Sequence, residues 1–206
     1  MERSLASERA TDMSKIVFDI SMSLDGFITA ANQTPEDLHD WARADGPADG
    51  STTAAVPDTW RPDVFGAIIA GRRTYEDSLP WWGPNGPSGD LRLPLVVVAH
   101  GKVTDPPPDG IYSFASGIED ALSRAREQAG GRHISVMGGA SIGGQFLAAG
   151  LLDEIKIHLV PVILGTGTPL FGGVVRDKVL LEQLEVERGD KATHLRYLVP
   201  HPAFSA

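Results

Sequence analysis

The run His133-Ile134-Ser135-Val136-Met137-Gly138-Gly139-Ala140-Ser141-Ile142-Gly143-Gly144-Gln145-Phe146-Leu147-Ala148-Ala149-Gly150 decides how the chain reads. It opens as a short apolar strand, breaks at Gly138-Gly139, becomes helical, and ends at Gly150. Paired glycines at a strand-to-helix turn let the backbone approach a ligand closely. The helix start offers N–H groups without intrahelical acceptors and the positive end of a dipole, which suit a phosphate. Ser141 is placed to cap that helix or to donate its hydroxyl. Taken alone, Gly-Gly is a weak motif that a packing turn explains better. The rest of the chain decides between the two.

With 206 residues the chain is one domain of ordinary size, and 42% hydrophobic residues supply a core. A formal net charge of −9 makes nucleic acid and anionic membranes poor partners for the surface as a whole. An anionic ligand therefore has to be held by a few local basic groups and backbone amides. The absence of cysteine excludes disulfides, thiolate nucleophiles and Cys-ligated metals. The longest apolar run, near Val160 to Leu164, is broken by Pro161 and is too short to span a bilayer. No apolar segment follows Met1-Glu2-Arg3-Ser4, so the expected location is the cytoplasm.

Residues 1–12 are polar and aperiodic and read as a disordered extension; residues 13–200 read as a single domain and 201–206 as a tail. Along residues 15–24, Ile16, Phe18, Ile20, Met22 and Leu24 fall on one face of a strand, and Val17, Asp19, Ser21 and Ser23 on the other. That strand is expected at the centre of a sheet. Thr34 and Pro35 open a short helix over 35–44, and residues 46–57 form a long loop. A strand over 64–70 runs into Gly71-Arg72-Arg73-Thr74, a second strand–glycine–helix start. Residues 78–94 read as a loop carrying Trp81-Trp82. Residues 95–99 are a buried strand ending at His100-Gly101, and 111–114 a short one. Ser116 caps a helix over 116–129 that Gly130-Gly131 stops. A strand over 155–162 precedes a Gly-rich turn at 164–171. Strands over 180–188 and 193–199 flank Gly189-Asp190 as a hairpin. This order gives an α/β domain whose mostly parallel sheet has an antiparallel C-terminal edge.

Gly71 to Thr74, Ala99-His100-Gly101 and Gly138 to Ser141 each lie just past the C-terminal end of a strand, the edge where open parallel sheets bind ligands. Two arginines at a helix start oppose the dipole and so point to an anionic partner. Either guanidinium suits a phosphate, including a nucleotide 2′-phosphate. The G-x-G-x-x-G fingerprint, the P-loop and the G-x-S-x-G elbow are all absent, and the histidines lack metal-ligand spacing.

The runs Ser21-Met22-Ser23-Leu24-Asp25-Gly26, Ala70-Gly71-Arg72-Arg73-Thr74-Tyr75, Val136-Met137-Gly138-Gly139-Ala140, Gly150-Leu151-Leu152-Asp153-Glu154, and Ile157 to Gly165 with Pro169-Leu170-Phe171 occur in the order found in the dihydrofolate reductase-like superfamily. The chain resembles in particular the C-terminal reductase domain of the bacterial bifunctional riboflavin-biosynthesis deaminase–reductase. No deaminase is present, since its zinc signature requires cysteine. The resemblance implies a three-layer sandwich, NADPH as cofactor and a homodimer. It also implies hydride transfer to a C=N or C=O of a pterin or aminopyrimidine, nominally 5-amino-6-(5-phosphoribosylamino)uracil.

By position, the resemblance assigns Gly71, Arg72, Arg73, Thr74, His100, Met137, Gly138, Gly139, Ala140, Ser141 and Ile142 to the cofactor. The strand from Lys15 and the turn Asp25-Gly26-Phe27-Ile28 border the nicotinamide. Asp19, Asp25, Asp37, Asp40 and water are the candidate proton sources, with Asp19 and Asp25 placed first. Asp19, Ser21, Trp81 and His158 are the candidate substrate contacts. Asp25 before Gly26 also reads as a turn residue, and His158 also as an ordinary sheet histidine. A ribose-phosphate substrate calls for basic groups, and residues 32–58 contain only Arg43. The competing reading is a nucleotide- or drug-binding protein that keeps the fold without turnover.

Overall fold

A computed structural model describes residues 14–30, 36–41, 64–173, 175 and 178–201, without the side chains of Glu36 and Asp37. Asp37, Thr34, Pro35, the loop at 46–57 and residues 1–12 therefore lie outside what is described below.

The strands are β1 (Ile16–Ser23), β2 (Phe27–Ala30), β3 (Phe65–Gly71), β4 (Leu95–Val98), β5 (Tyr112–Ala115), β6 (His133–Met137), β7 (Glu154–Val160), β8 (Gly167–Pro169), β9 (Glu182–Arg188) and β10 (Thr193–Leu198). The helices are α1 (Glu36–His39), α2 (Arg72–Trp82), α3 (Ile118–Ala129) and α4 (Ala140–Ala148). Eight strands form one sheet in the order β5-β4-β3-β6-β1-β7-β10-β9, and β2 pairs with β8 apart from it. Every pair from β5 to β7 is parallel; β10 runs antiparallel to β7, and β9 to β10. The sheet is thus mostly parallel with an antiparallel edge, and β1 is interior as its alternating pattern requires.

Helices cover both faces. On one, Phe18, Val136 and Ile155 pack against Ile118, Leu122 and Ala125 of α3 and Ile142 and Phe146 of α4. On the other, Ala70 and Val97 pack against Tyr75, with Leu79 and Trp82 alongside. Burying a side chain such as Phe18 contributes about 2–3 kcal/mol. Helix α4 comes this close because position 143 is glycine. A Cβ there would stand 2.2 Å from the Phe18 ring.

Four expectations change. Residues 78–94 are not a loop: α2 runs through Pro80 to Trp82, and a kinked 3₁₀ stretch follows from Gly83 to Leu91. Packing of Tyr75, Leu79 and Trp82 on the sheet outweighs the single backbone bond that proline removes. The cap of α3 is Gly117 rather than Ser116, and no side chain bonds there. Leu24 leaves the apolar row because β1 ends at Ser23; it is 61% exposed in the following turn. The Gly-rich turn contains β8, which β2 pairs with.

Candidate active site

Two glycine turns meet at the C-terminal edge of the sheet. β3 and β6 are parallel neighbours, with Ala70 beside Met137, so the turns into α2 and α4 start side by side. The Gly139 N–H donates to Thr74 Oγ1 at 3.1 Å. Gly138 has φ +94°, a conformation that favours glycine. A Cβ there would lie 2.3 Å from Thr74 Oγ1. Thr74 thus stitches the two turns together, and its hydroxyl proton remains available to donate. Neither Gly71 nor Gly139, the residues preceding α2 and α4, makes a side-chain cap. The first N–H groups of both helices lack intrahelical acceptors. Ser141 is not the cap: it lies inside α4, exposed, and its Oγ accepts from Gln145 Nε2 at 3.1 Å. Ala140 and Ile142 are buried, and the Ile142 side chain backs Gly71.

The arginines differ. Arg72 Nε lies 3.8 Å from Glu76 Oε2, one helical turn on. Arg73 is exposed and forms no ion pair among the described residues. His100 is exposed just past β4, at the same edge of the sheet. The sequence-assigned cofactor segments therefore share one edge. Arg73 is the guanidinium left to meet a phosphate there.

Beside this edge lies a buried polar pocket. Register pairs Asp19 with Met137 on one side and with Lys156 on the other. His158 sits beside Ser21 across β1–β7 and faces His194 across β7–β10. His158 Nε2 is 2.9 Å from Asp19 Oδ1, and His158 Nδ1 is 2.8 Å from His194 Nδ1. The Trp41 indole stacks on His158 with centroids 3.6 Å apart and 23° between planes, and meets His194 edge-on at 5.2 Å. Its Nε1–H donates to Ser21 Oγ at 2.9 Å. The His158 side chain is only 2% exposed, whereas that of Asp19 is 29% exposed. Asp19 is the member of this pair that solvent reaches.

Charge follows from that packing. Burial works against the Asp19 carboxylate, but His158, Lys156 and His194 together overcome it and hold the group below its usual value. Burial and the adjacent His158 push His194 down to about 4. Burial also lowers the Lys156 ammonium, whose Nζ stands 5.2 Å from the Phe65 ring centroid. Near neutral pH His194 is uncharged. One arrangement of the ring protons satisfies both contacts. His158 donates Nε2–H to Asp19 and accepts at Nδ1 from the Nδ1–H of His194.

Two candidates stand elsewhere. Asp25 is exposed, and its oxygens accept from Ser23 Oγ, Leu164 N and Gly165 N at 2.6, 3.1 and 2.7 Å. It clamps the β1–β2 turn to the turn before β8, and those hydrogen bonds lower its pKa. Trp81 is 83% exposed near the C-terminal end of α2. That helix carries it roughly 13 Å from the glycine turns, at 1.5 Å per residue. It is not brought to the pocket. Asp40 is half-buried beside Trp41.

Trp41 and His194 were not singled out in the sequence. The residue spacing of Trp41 gives no signal. His194 meets His158 through the long-range pairing of β10 with β7, and the hairpin signal places it only against Glu187 of β9.

The RibD C-terminal domain family matches residues 14–195. The uncharacterized protein YyaP of Bacillus subtilis strain 168 is 28% identical over 169 residues, covering 76% of this chain and 80% of its own. A putative riboflavin biosynthesis protein from Shewanella sp. PV-4 has a like fold, with TM-score 0.69 and 21% identity over 91% of this chain and 99% of its own. The diaminohydroxyphosphoribosylaminopyrimidine deaminase/5-amino-6-(5-phosphoribosylamino)uracil reductase of Thermotoga maritima gives TM-score 0.57 at 15% identity, over 96% of this chain and 60% of that longer one. At these identities the two structures speak for the fold.

Proposed function

The chain belongs to the RibD C-terminal domain family, and from that premise we propose that it is an NADPH-dependent reductase. Its substrate is a small heterocycle of pterin or aminopyrimidine type, reduced at a C=N or C=O. One observation carries this reading: the two uncapped glycine turns joined through Thr74 and Gly139 lie at the ends of β6, the neighbour of Asp19 on β1, and of β3, one strand further out. A cofactor cradle and an acid-bearing pocket thereby share one cleft.

The residues fit a dinucleotide phosphate. Gly138 leaves no room for a side chain against Thr74, and nothing lies within 4 Å of where a Cβ on Gly139 would be. Gly71, Thr74 and the turn from Gly138 to Ile142 would hold the pyrophosphate through the Thr74 hydroxyl and the backbone amides at the two helix starts other than those of Gly139 and Ile142, which donate to Thr74 Oγ1 and Gly139 O. Arg73, with Arg72 beside it, would meet the 2′-phosphate, and His100 the adenosine end. When bound, NADPH supplies the hydride.

The chain's own part is to orient the substrate and handle a proton. Asp19, held anionic by His158 and Lys156, accepts N–H groups of the heterocycle and fixes which face meets the donor. Ser21, tied to Trp41, and His158 behind Asp19 form the back wall. Asp25 keeps the bordering turns in place.

The same proposal makes the protein a cytoplasmic homodimer. No helix among the described residues is long and apolar enough to cross a membrane. Leu180 and Val186, 69% and 52% exposed at and before the edge strand, offer a second copy an apolar face. Sedimentation at micromolar concentration tests the dimer, and a monomer refutes it.

NADPH oxidation against a panel of pterins and ribosylaminopyrimidines tests the activity. Turnover with at least one is the expected result. Failure with all of them refutes the reductase reading and leaves a binding protein.

A further inference from the structure

A reduction that adds hydride to a C=N or C=O leaves an anion that needs a proton. Asp19 faces the cleft, yet its surroundings keep it ionised, so a proton it delivers has to be replaced. Behind it stand two histidines in line. We propose that His194 and His158 form a two-member proton relay that opens on Asp19.

Three observations carry this. The contacts are continuous, with 2.8 Å between the two Nδ1 atoms and 2.9 Å from His158 Nε2 to Asp19 Oδ1. The inner ring is sealed: His158 is 2% exposed, and the Trp41 indole stacks on it at 3.6 Å, excluding water from the middle of the path. The outer ring is only partly buried, and its Nε2 lies under the β9–β10 turn at Gly189, where a Cβ would come within 2.9 Å of it, between the exposed Asp190 and Lys191 and the dry His158. A relay needs a wet end, a dry middle and an end in the cleft, and this row has all three.

The step balances without oxidant or reductant beyond the hydride donor. The ionised Asp19 takes up the Nε2 proton of His158 and passes one on to the nitrogen or oxygen of the reduced bond, so it is a carboxyl group only in transit. His158 takes the Nδ1 proton of His194 at its own Nδ1, and His194 takes one from solvent hydronium at Nε2. Four N–H or O–H bonds break and four form. Once product has left, Asp19 takes a proton from water and the same transfers run in reverse, His194 returning its Nε2 proton to solvent, which restores the starting tautomers without water reaching His158. Both histidines act through Asp19, so they are positioning residues rather than catalytic ones.

The titratable and charged groups on the elements packed around the pair are Asp19 on β1, Glu154 and Lys156 on β7, Arg196 on β10, Glu182, Glu185, Glu187 and Arg188 on β9, and His39 and Asp40 at α1. Arg196 and Glu185 are paired at 3.5 Å, and Lys156 stands next to Asp19 in register. The nearest cation and the nearest anion therefore offset one another around the rings. A change in the pH profile on altering His194 then reports the relay itself.

The inference rests on the reductase reading, and its test separates the two. Nuclear magnetic resonance on the full chain labelled with ¹⁵N-histidine should show coupling across the hydrogen bond between the two Nδ1 atoms. His194→Gln should lower kcat by about 10- to 100-fold at alkaline pH, where solvent protons are scarce, and leave the KM for NADPH unchanged. His194→Asn should behave alike, which guards against one misfolded variant. NADPH oxidation without N–N coupling, or with a kcat–pH profile unmoved in both variants, overturns the relay. Coupling in a protein that oxidises no NADPH instead marks failure of the reductase reading, on which the relay falls with it.

Discussion

At the scale of single residues, the site is set by a few positions where one atom decides the outcome. Gly138→Ala places a Cβ against Thr74 in a backbone conformation that alanine disfavours, and about 2–4 kcal/mol of stability should be lost in urea unfolding. A loss of under about 0.5 kcal/mol would show that the two turns are not clamped there. His194 makes a signed pH prediction. The unfolded imidazole takes up its proton near 6.5 and the folded one near 4, so between those values the unfolded state binds more protons. Stability should fall as pH drops through that window, by up to about 3 kcal/mol, and His194→Gln should flatten the fall. The lowered Asp19 acts further down: its contribution is present above the unfolded value and is lost as pH falls through the folded one. Equal slopes for wild type and variant between pH 6.5 and 4 would contradict the burial assigned to His194. Asp19 was legible in the sequence because a carboxylate on the polar side of a central strand needs a reason. His158 was legible as a candidate, but its pairing with His194 was not, because the two lie 36 residues apart and meet only through the register of β7 with β10.

At the scale of elements, short-period signals read well and packing against distant parts read poorly. The alternation of β1, the apolar run of β4, and the glycines ending α3 and α4 were readable from spacing alone. The extension of α2 through Pro80 was not, since it depends on Tyr75, Leu79 and Trp82 finding the sheet. The place of Trp81 followed from that miss: read as part of a loop it was free to reach the substrate, and as the end of a helix it is not. Helix α4 tests the packing directly. Gly143→Ala drives a Cβ into the Phe18 ring, and overpacking of this kind should cost about 1–3 kcal/mol in chemical unfolding. An unchanged midpoint would mean that α4 does not rest on β1. The turn before β8 gives a second test. Asp25→Ala removes the acceptor for the Leu164 and Gly165 amides and should speed hydrogen exchange at both. Unaltered exchange would leave Asp25 without its clamping role.

At the scale of the whole molecule, a parallel sheet puts several strand ends along one edge, and two of them bring uncapped helix starts together at Thr74. The proposed dinucleotide cradle rests on that convergence rather than on either glycine turn alone, and the antiparallel edge supplies His194 behind His158 and Asp19. The cradle was legible because its parts recur at strand ends. The substrate pocket was legible only at Asp19, Ser21 and His158, because Trp41 arrives from a segment with no matching pattern. The central claim is the NADPH site, and calorimetric titration of the full chain with NADPH and NADH tests it most directly. Micromolar binding of NADPH, with Arg72→Ala and Arg73→Ala together weakening NADPH by about 10-fold or more but NADH little, is the predicted result. No heat of NADPH binding at micromolar concentrations, or an equal loss for both nucleotides, would contradict it.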